Sequence, residues 1–171
     1  QLEHPEFVDN VRSLIDRLAF EPRHLVLEIT ETVLVTKADE SIDRLHQLKA
    51  LGVQLAIDDF GTGYSSLSSL QHLPVDIVKI DRSFISQLEG NDEHANLARA
   101  VLSLGRTLHL ETVAEGVESS GQAAELRRLE CNLAQGYYFA RPTDRETVAG
   151  LLRRDPSGTD PAGQITVPSL A

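Results

Sequence analysis

Amphipathic segments and short β-branched runs take turns along almost the whole chain. Residues 5–19, "PEFVDNVRSLIDRLA", set Val8, Val11, Leu14, Ile15 and Leu18 on one helical stripe. "HLVLEIT" (24–30) then reads as a strand. "KADESIDRLHQLKAL" (37–51) returns to helical spacing through Ile42, Leu45, Leu48 and Leu51, and Gly52 stands where a C-terminal capping glycine belongs. "VQLAI" (53–57) is a second strand, and "SSLSSLQHL" (65–73) is a short helix stopped by Pro74. The pattern goes on with a strand at 76–80, a helix at 92–108 and a strand at 110–115. A helix at 121–130, capped by Ser119 or Ser120, follows, and then a strand at 133–140 and a helix at 144–154. Residues 155–171 are rich in Pro, Gly and Ser and are expected to be a disordered tail.

Strand alternating with helix predicts an α/β fold with a parallel sheet. Five strands are visible. A closed (β/α)8 barrel needs eight, in about 250 residues. Five are enough for an open doubly wound sheet, but no Gly-rich phosphate fingerprint follows the first strand, as that fold's nucleotide binders require. Composition narrows the partners. With 26 acidic against 16 basic residues the net charge is −10, which argues against a nucleic-acid polymer. Any phosphate ligand must therefore be drawn in by local positive charge. A single cysteine, Cys131, rules out an internal disulfide and a multi-cysteine zinc site, and points to a reducing, cytoplasmic setting. No apolar stretch approaches the roughly 20 residues of a membrane span, so no membrane contact is expected of this segment. The chain opens "QLEHPEF" without Met and reads as a piece of a longer protein.

The chemistry gathers at the strand ends. The first strand ends in Glu28 and Glu31, the second in Asp58 and Asp59, the third in Lys79 and Asp81. The fourth ends in Glu115, with Glu118 beyond it, and the fifth offers Gln135. In a parallel sheet these ends share one side, and in a barrel they converge on the axis. Uncompensated carboxylates brought together repel and raise one another's pKa. Hard divalent cations resolve that conflict, and oxygen-only ligands favour Mg²⁺, Mn²⁺ or Ca²⁺ over zinc. Two adjacent aspartates suit a pair of ions about 3.5–4 Å apart. Metals would also supply positive charge for an anionic substrate such as a phosphodiester, with Lys79 adding a point charge. The loop "GTGYSSL" carries Gly61 and Gly63, which permit a mobile backbone beside the acids.

Five segments in register, "LEITE" (27–31), "IDDFGTGYSSL" (57–67), "DIVKIDRSFI" (76–85), "ETVAEGVES" (111–119) and "AQGYYFARP" (134–142), closely resemble the EAL domain. That family comprises bacterial cyclic-di-GMP phosphodiesterases. The resemblance covers residues 1–154 and implies a TIM-type barrel, of which this chain shows about five β/α units. It implies two Mg²⁺ or Mn²⁺ ions, with Ca²⁺ binding but not supporting turnover, and hydrolysis of cyclic-di-GMP to linear pGpG. It further implies a metal-ligand role for Glu28, a bridging role for Asp58 and the second metal for Asp59. Lys79 resembles the lysine that positions the water, and Glu115 the glutamate near the second metal. Gln135 and Asp81 would meet substrate, and Glu31, Gly61 and Gly63 would steady the loop after the paired aspartates. A homodimer, and sensory or GGDEF-type domains in the parent chain, are the partners it implies.

The Glu-Ala-Leu signature is absent, as is the asparagine of the following strand; both normally precede "QLEHPEF". The stretch that would hold them is about 80 residues, judged against a full barrel. The chain alone is therefore expected to hydrolyse weakly or not at all, and its first strand to be an open edge. The rival readings are a receptor that binds the dinucleotide without cutting it, a regulatory or dimerising domain, and an enolase-like metal-dependent barrel. Bland readings stand beside the sharp ones. Glu31, Asp81 and Glu118 also suit helix caps or solvated loops. Tyr137, Tyr138 and Phe139 read as core packing, and Cys131 as a small buried residue.

Overall fold

The computed structural model describes residues 1–30, 38–61, 70, 73–89 and 93–154. Five strands form one sheet: β1 (Val26–Thr30), β2 (Gln54–Phe60), β3 (Ile77–Ile80), β4 (Glu111–Ala114) and β5 (Leu133–Ala134). They lie in sequence order, and each neighbouring pair is parallel. The helices are α1 (Phe7–Leu18), α2 (Ala38–Ala50), α3 (Arg82–Ile85), α4 (Glu93–Thr107), α5 (Ser120–Arg128) and α6 (Arg145–Arg154). Parallel neighbours require a crossover, and α2, α3 with α4, and α5 supply those into β2, β4 and β5. All five C-terminal strand ends consequently face one side.

Alternation of pattern becomes alternation of burial. Leu45 and Leu48 of α2, Leu55 and Ile57 of β2, Ile80 of β3, Leu102 of α4 and Leu126 of α5 are all within 2% of complete burial. Each such aliphatic side chain contributes about 1.5–3 kcal/mol relative to exposure. β3, flanked by β2 and β4, is buried at all four positions, Lys79 among them. The expected caps form. Gly52 has φ +89° after α2. Ser119 caps α5 in a capping box with Gln122.

Asp76 closes the N-terminal ends of the strands. Its carboxylate accepts from Lys49 Nζ at 2.7 Å through both oxygens and from the Leu55 N–H at 2.8 Å. Its own N–H donates to the Leu55 carbonyl, and its carbonyl accepts from the Glu111 N–H. One residue thus ties together the starts of β2, β3 and β4.

Several expectations are corrected. Residues 22–24 form a 3₁₀ turn led by Pro22, so the first strand starts at Val26 rather than at 24. β2 runs on through both aspartates to Phe60. β5 has two residues instead of eight, because the chain turns at Gly136. Leu14 and Leu18, placed on the buried stripe of α1, are 44% and 66% exposed, since Val8 and Val11 already fill the contact with the core. Tyr137 is 52% exposed, whereas Tyr138 and Phe139 pack against the core. The helix expected over 65–73, apart from Leu70 and Leu73, and the tail 155–171 lie outside the described residues.

Candidate active site

Each of the five strands delivers one polar side chain to its C-terminal end. Lys79, 7% exposed, is the hub. Its Nζ lies 2.8 Å from Glu28 Oε2 on β1, 2.9 Å from Asp58 Oδ1 on β2 and 2.7 Å from Glu115 Oε1 just past β4. Gln135, just past β5, donates from Nε2 to the same Glu115 oxygen at 2.9 Å. An ammonium has three donors, and three carboxylates occupy them. Burial on its own would lower the Lys79 pKa; hydrogen bonds to Asp58, Glu115 and Glu28 outweigh it and carry the value above that of an ordinary lysine.

Adjacent residues of a regular strand point to opposite faces. The paired aspartates escape that rule. The register between β2 and β3 shifts between Ile57 and Phe60, and Asp59 takes the left-handed conformation at φ +55°. Asp is one of the few residues that tolerate it. Through this irregularity Asp58, Asp59 and Glu115 each offer a carboxylate oxygen, all within 4.8 Å of one another. Glu28 stands on the rim, its side chain 50% exposed, and meets the group through Lys79.

The loop after β4 is held by close backbone packing. The Gln135 N–H donates to the Ala114 carbonyl, and the Val117 N–H to the Gln135 carbonyl. A Cβ on Gly136 would lie 2.1 Å from the Val117 carbonyl oxygen, so only glycine fits there. Gly116, at φ +67°, lets Arg82 pass where a Cβ would come within 2.4 Å of its Cγ. Arg82 then pairs with Glu118 at 2.8 Å.

Of the other expected site residues, Asp81 caps α3, accepting from the Ser83 N–H at 2.9 Å and from its hydroxyl. The Ser83 hydroxyl leads the bonds that hold the Asp81 pKa below the usual carboxylate value. Gly61 has φ +97° directly after β2. Glu31 and Gly63 lie outside the described residues.

Beside the cluster opens a cavity of about 610 Å³, lined by Arg82, Glu118, Gln135, Tyr137 and Arg141 among others. The Arg141 guanidinium sits 4.6 Å above the centre of the Tyr137 ring. Gln135 belongs to both the cavity and the carboxylate cluster. Arg82, Tyr137 and Arg141 escaped the reading by strand ends because they lie in the segments beyond them. The visible signal for the last two was an arginine four residues after a tyrosine in "YYFAR".

The donor set tests well against a hard divalent cation. Asp58, Asp59 and Glu115 supply only oxygen, the preference of Mg²⁺ and Mn²⁺. Their charge, with that of Glu28, exceeds the single positive charge of Lys79. Among the described residues no helix is long and apolar enough to cross a membrane.

A family model described as EAL domain matches residues 1–142. The bifunctional diguanylate cyclase/cyclic di-GMP phosphodiesterase MucR of Pseudomonas aeruginosa is 48% identical over 146 residues, 85% of this chain and 21% of that protein. The structure of a PaMucR phosphodiesterase in complex with c-di-GMP is 47% identical, with a TM-score of 0.82 over 86% of this chain and 60% of that one. The Klebsiella pneumoniae BlrP1 manganese/cy-diGMP complex is 31% identical, with a TM-score of 0.75 over 82% of this chain and 36% of that one. The chain spans about a fifth of the length of curated relatives such as MucR.

Proposed function

We propose that this chain, which belongs to the EAL domain family, carries the C-terminal part of a cyclic-di-GMP phosphodiesterase site that yields linear pGpG. The observation that carries the reading is the meeting of Glu28, Asp58 and Glu115 from three strands on one buried lysine, with Asp59 alongside. Relatives named for this activity, a structure holding this dinucleotide and another holding it with manganese support it.

Glu28, Asp58, Asp59 and Glu115 are the residues that would hold two Mg²⁺ or Mn²⁺ ions. Such ions, when bound, acidify water and neutralise charge on a phosphoryl group undergoing in-line displacement. Gln135 fixes the Glu115 carboxylate through its 2.9 Å hydrogen bond. Once an ion draws a carboxylate away from it, Lys79 would donate to the attacking water or to a phosphoryl oxygen. Arg82 and Arg141 give the neighbouring cavity the local positive charge that the acidic chain otherwise lacks. In the hydrolysis water forms the new bond to phosphorus and the P–O3′ bond breaks. One product end carries the 5′-phosphate, and the other takes the proton as a 3′-hydroxyl.

The same proposal includes an upstream segment with the Glu-Ala-Leu signature, a domain boundary near residue 154, a cytoplasmic setting and a homodimer. Sensory or GGDEF-type domains belong to it as well; MucR carries both activities in its name, and the matched 146 residues are 21% of its length. The test is incubation with cyclic-di-GMP and Mn²⁺, with products separated by ion exchange. It is run on this chain and on one extended upstream by about 80 residues. The extended chain is expected to form pGpG, and Asp58→Asn to slow it by about a hundredfold or more. Tight binding without product would favour the receptor reading instead. Product formation insensitive to Asp58→Asn would overturn the assignment.

A further inference from the structure

The Lys79 ammonium and the candidate ion site share two carboxylates. Asp58 and Glu115 are two of the three carboxylates that lie within 4.8 Å of one another, and both are hydrogen-bonded to Lys79 Nζ, at 2.9 and 2.7 Å. A divalent ion would need contacts of about 2.0–2.6 Å to oxygens of those carboxylates. Two cations on the same carboxylates repel, so an ion there and the full set of ammonium bonds weaken each other. The lysine is built in: its stem lies in β3, buried at every position and flanked by β2 and β4. Among the described residues, Lys79 is the cation that pairs with these three carboxylates.

We propose that Lys79 is the resident cation of this site. It gathers Glu28, Asp58 and Glu115 before any divalent ion is present, and it competes with the incoming ion for Asp58 and Glu115. Once displaced, its ammonium is free to donate toward an anion in the adjoining space. This rests on the reading above that the carboxylates hold divalent ions.

The test compares the protein with its Lys79→Met variant, which keeps an unbranched stem and removes the charge. Both are stripped with chelator and titrated with Mn²⁺ by calorimetry, and thermal midpoints are recorded with and without the ion. The ion-free variant is expected to melt lower and to gain more from Mn²⁺ than the parent. It should bind Mn²⁺ about tenfold more tightly, the low end of what a unit charge within 4–6 Å does to an ionic equilibrium. A variant that folds only in Mn²⁺ supports the proposal most directly. If the parent binds Mn²⁺ and the variant binds it equally or more weakly, this inference fails and the metal reading survives. If neither binds, both fail. Should Lys79→Met not fold under any condition, the parent supplies the readout. Acetylation of the Lys79 amine, normalised to Lys49, is expected to be slow without ions and to rise on saturation with Mg²⁺; an unchanged ratio overturns the proposal.

Discussion

At the N-terminal ends of the strands Lys49 meets one carboxylate; at the C-terminal ends Lys79 meets three. The first cluster is balanced. Asp76 places one negative charge against one positive, and Lys49 gives a further bond to the Val53 carbonyl at 3.1 Å. Nothing in that arrangement calls for another ion. In the second cluster, among the described residues, one ammonium meets three carboxylates, and the Asp59 carboxylate lies close to those of Asp58 and Glu115. Both hang on the same sheet, so the difference lies in charge balance rather than architecture. On the proposed reading, the balanced end holds the sheet together and the other end holds the divalent ions.

The comparison breaks most visibly at Asp76. Replacing it with Ala removes the partner of Lys49 and the side-chain acceptor for the Leu55 N–H, while the backbone bonds of residue 76 remain. A loss of about 2–3 kcal/mol in denaturant unfolding is expected, as for a hydrogen-bonded charge left without its partner. Because no ion belongs at that end, the loss should be the same with and without Mn²⁺. A loss that Mn²⁺ repairs would show that the two ends are not independent.

Asp59→Asn probes the other end with a smaller effect of opposite sign. Asn tolerates the left-handed backbone that Asp59 adopts at φ +55°. The substitution removes one of the crowded negative charges. Ion-free stability should therefore rise, by about 0.5 kcal/mol, within the range of like-charge contacts at a surface. In saturating Mn²⁺ the order should reverse, because the parent keeps the ligand. If the variant is less stable in both conditions, the charges at this end are not in conflict.

Much of this contrast could be read from the sequence, and the reasons it could be are physical. Helices and strands were legible wherever one face is buried, because 3.6- and 2-residue periods then show in the apolar pattern. The gathering of side chains was legible because parallel strands carry every C-terminal end to one side; naming the end residues was enough to bring Glu28, Asp58, Lys79, Glu115 and Gln135 together. Three features were not legible. That β2 continues through Asp58 and Asp59 depends on a register shift against β3, a non-local event. That β5 stops after Ala134 depends on the backbone of Val117 crowding Gly136, again a contact between distant residues. And Lys79, read as a group poised for water or phosphate, is engaged by three carboxylates at once, which no one-dimensional spacing reveals.

A third charged cluster, on the outer face between α4 and α5, inverts the arrangement at Lys79 and sharpens the comparison at the smallest scale. Here one carboxylate, Glu125, meets two cations, Arg128 at 2.7 Å and Arg99 at 3.2 Å. The Arg128 guanidinium is the main reason that the Glu125 pKa is pushed down to about 2; partial burial opposes it and Arg99 adds to it. A carboxyl whose pKa is depressed by folding adds stability at pH values above its unfolded value of 4.5. That contribution drains away as the pH falls from about 4.5 toward 2 and the group is protonated. Arg128 is largely in solvent, so screening keeps the contribution of the pair small. Glu125→Gln should cost correspondingly little at pH 7, and its difference from the parent should vanish near pH 2 in acid titrations of unfolding. The same difference should be indifferent to Mn²⁺. On the proposed reading, an imbalance of charge at the surface is answered by water, and one at the C-terminal ends of the strands by a divalent ion.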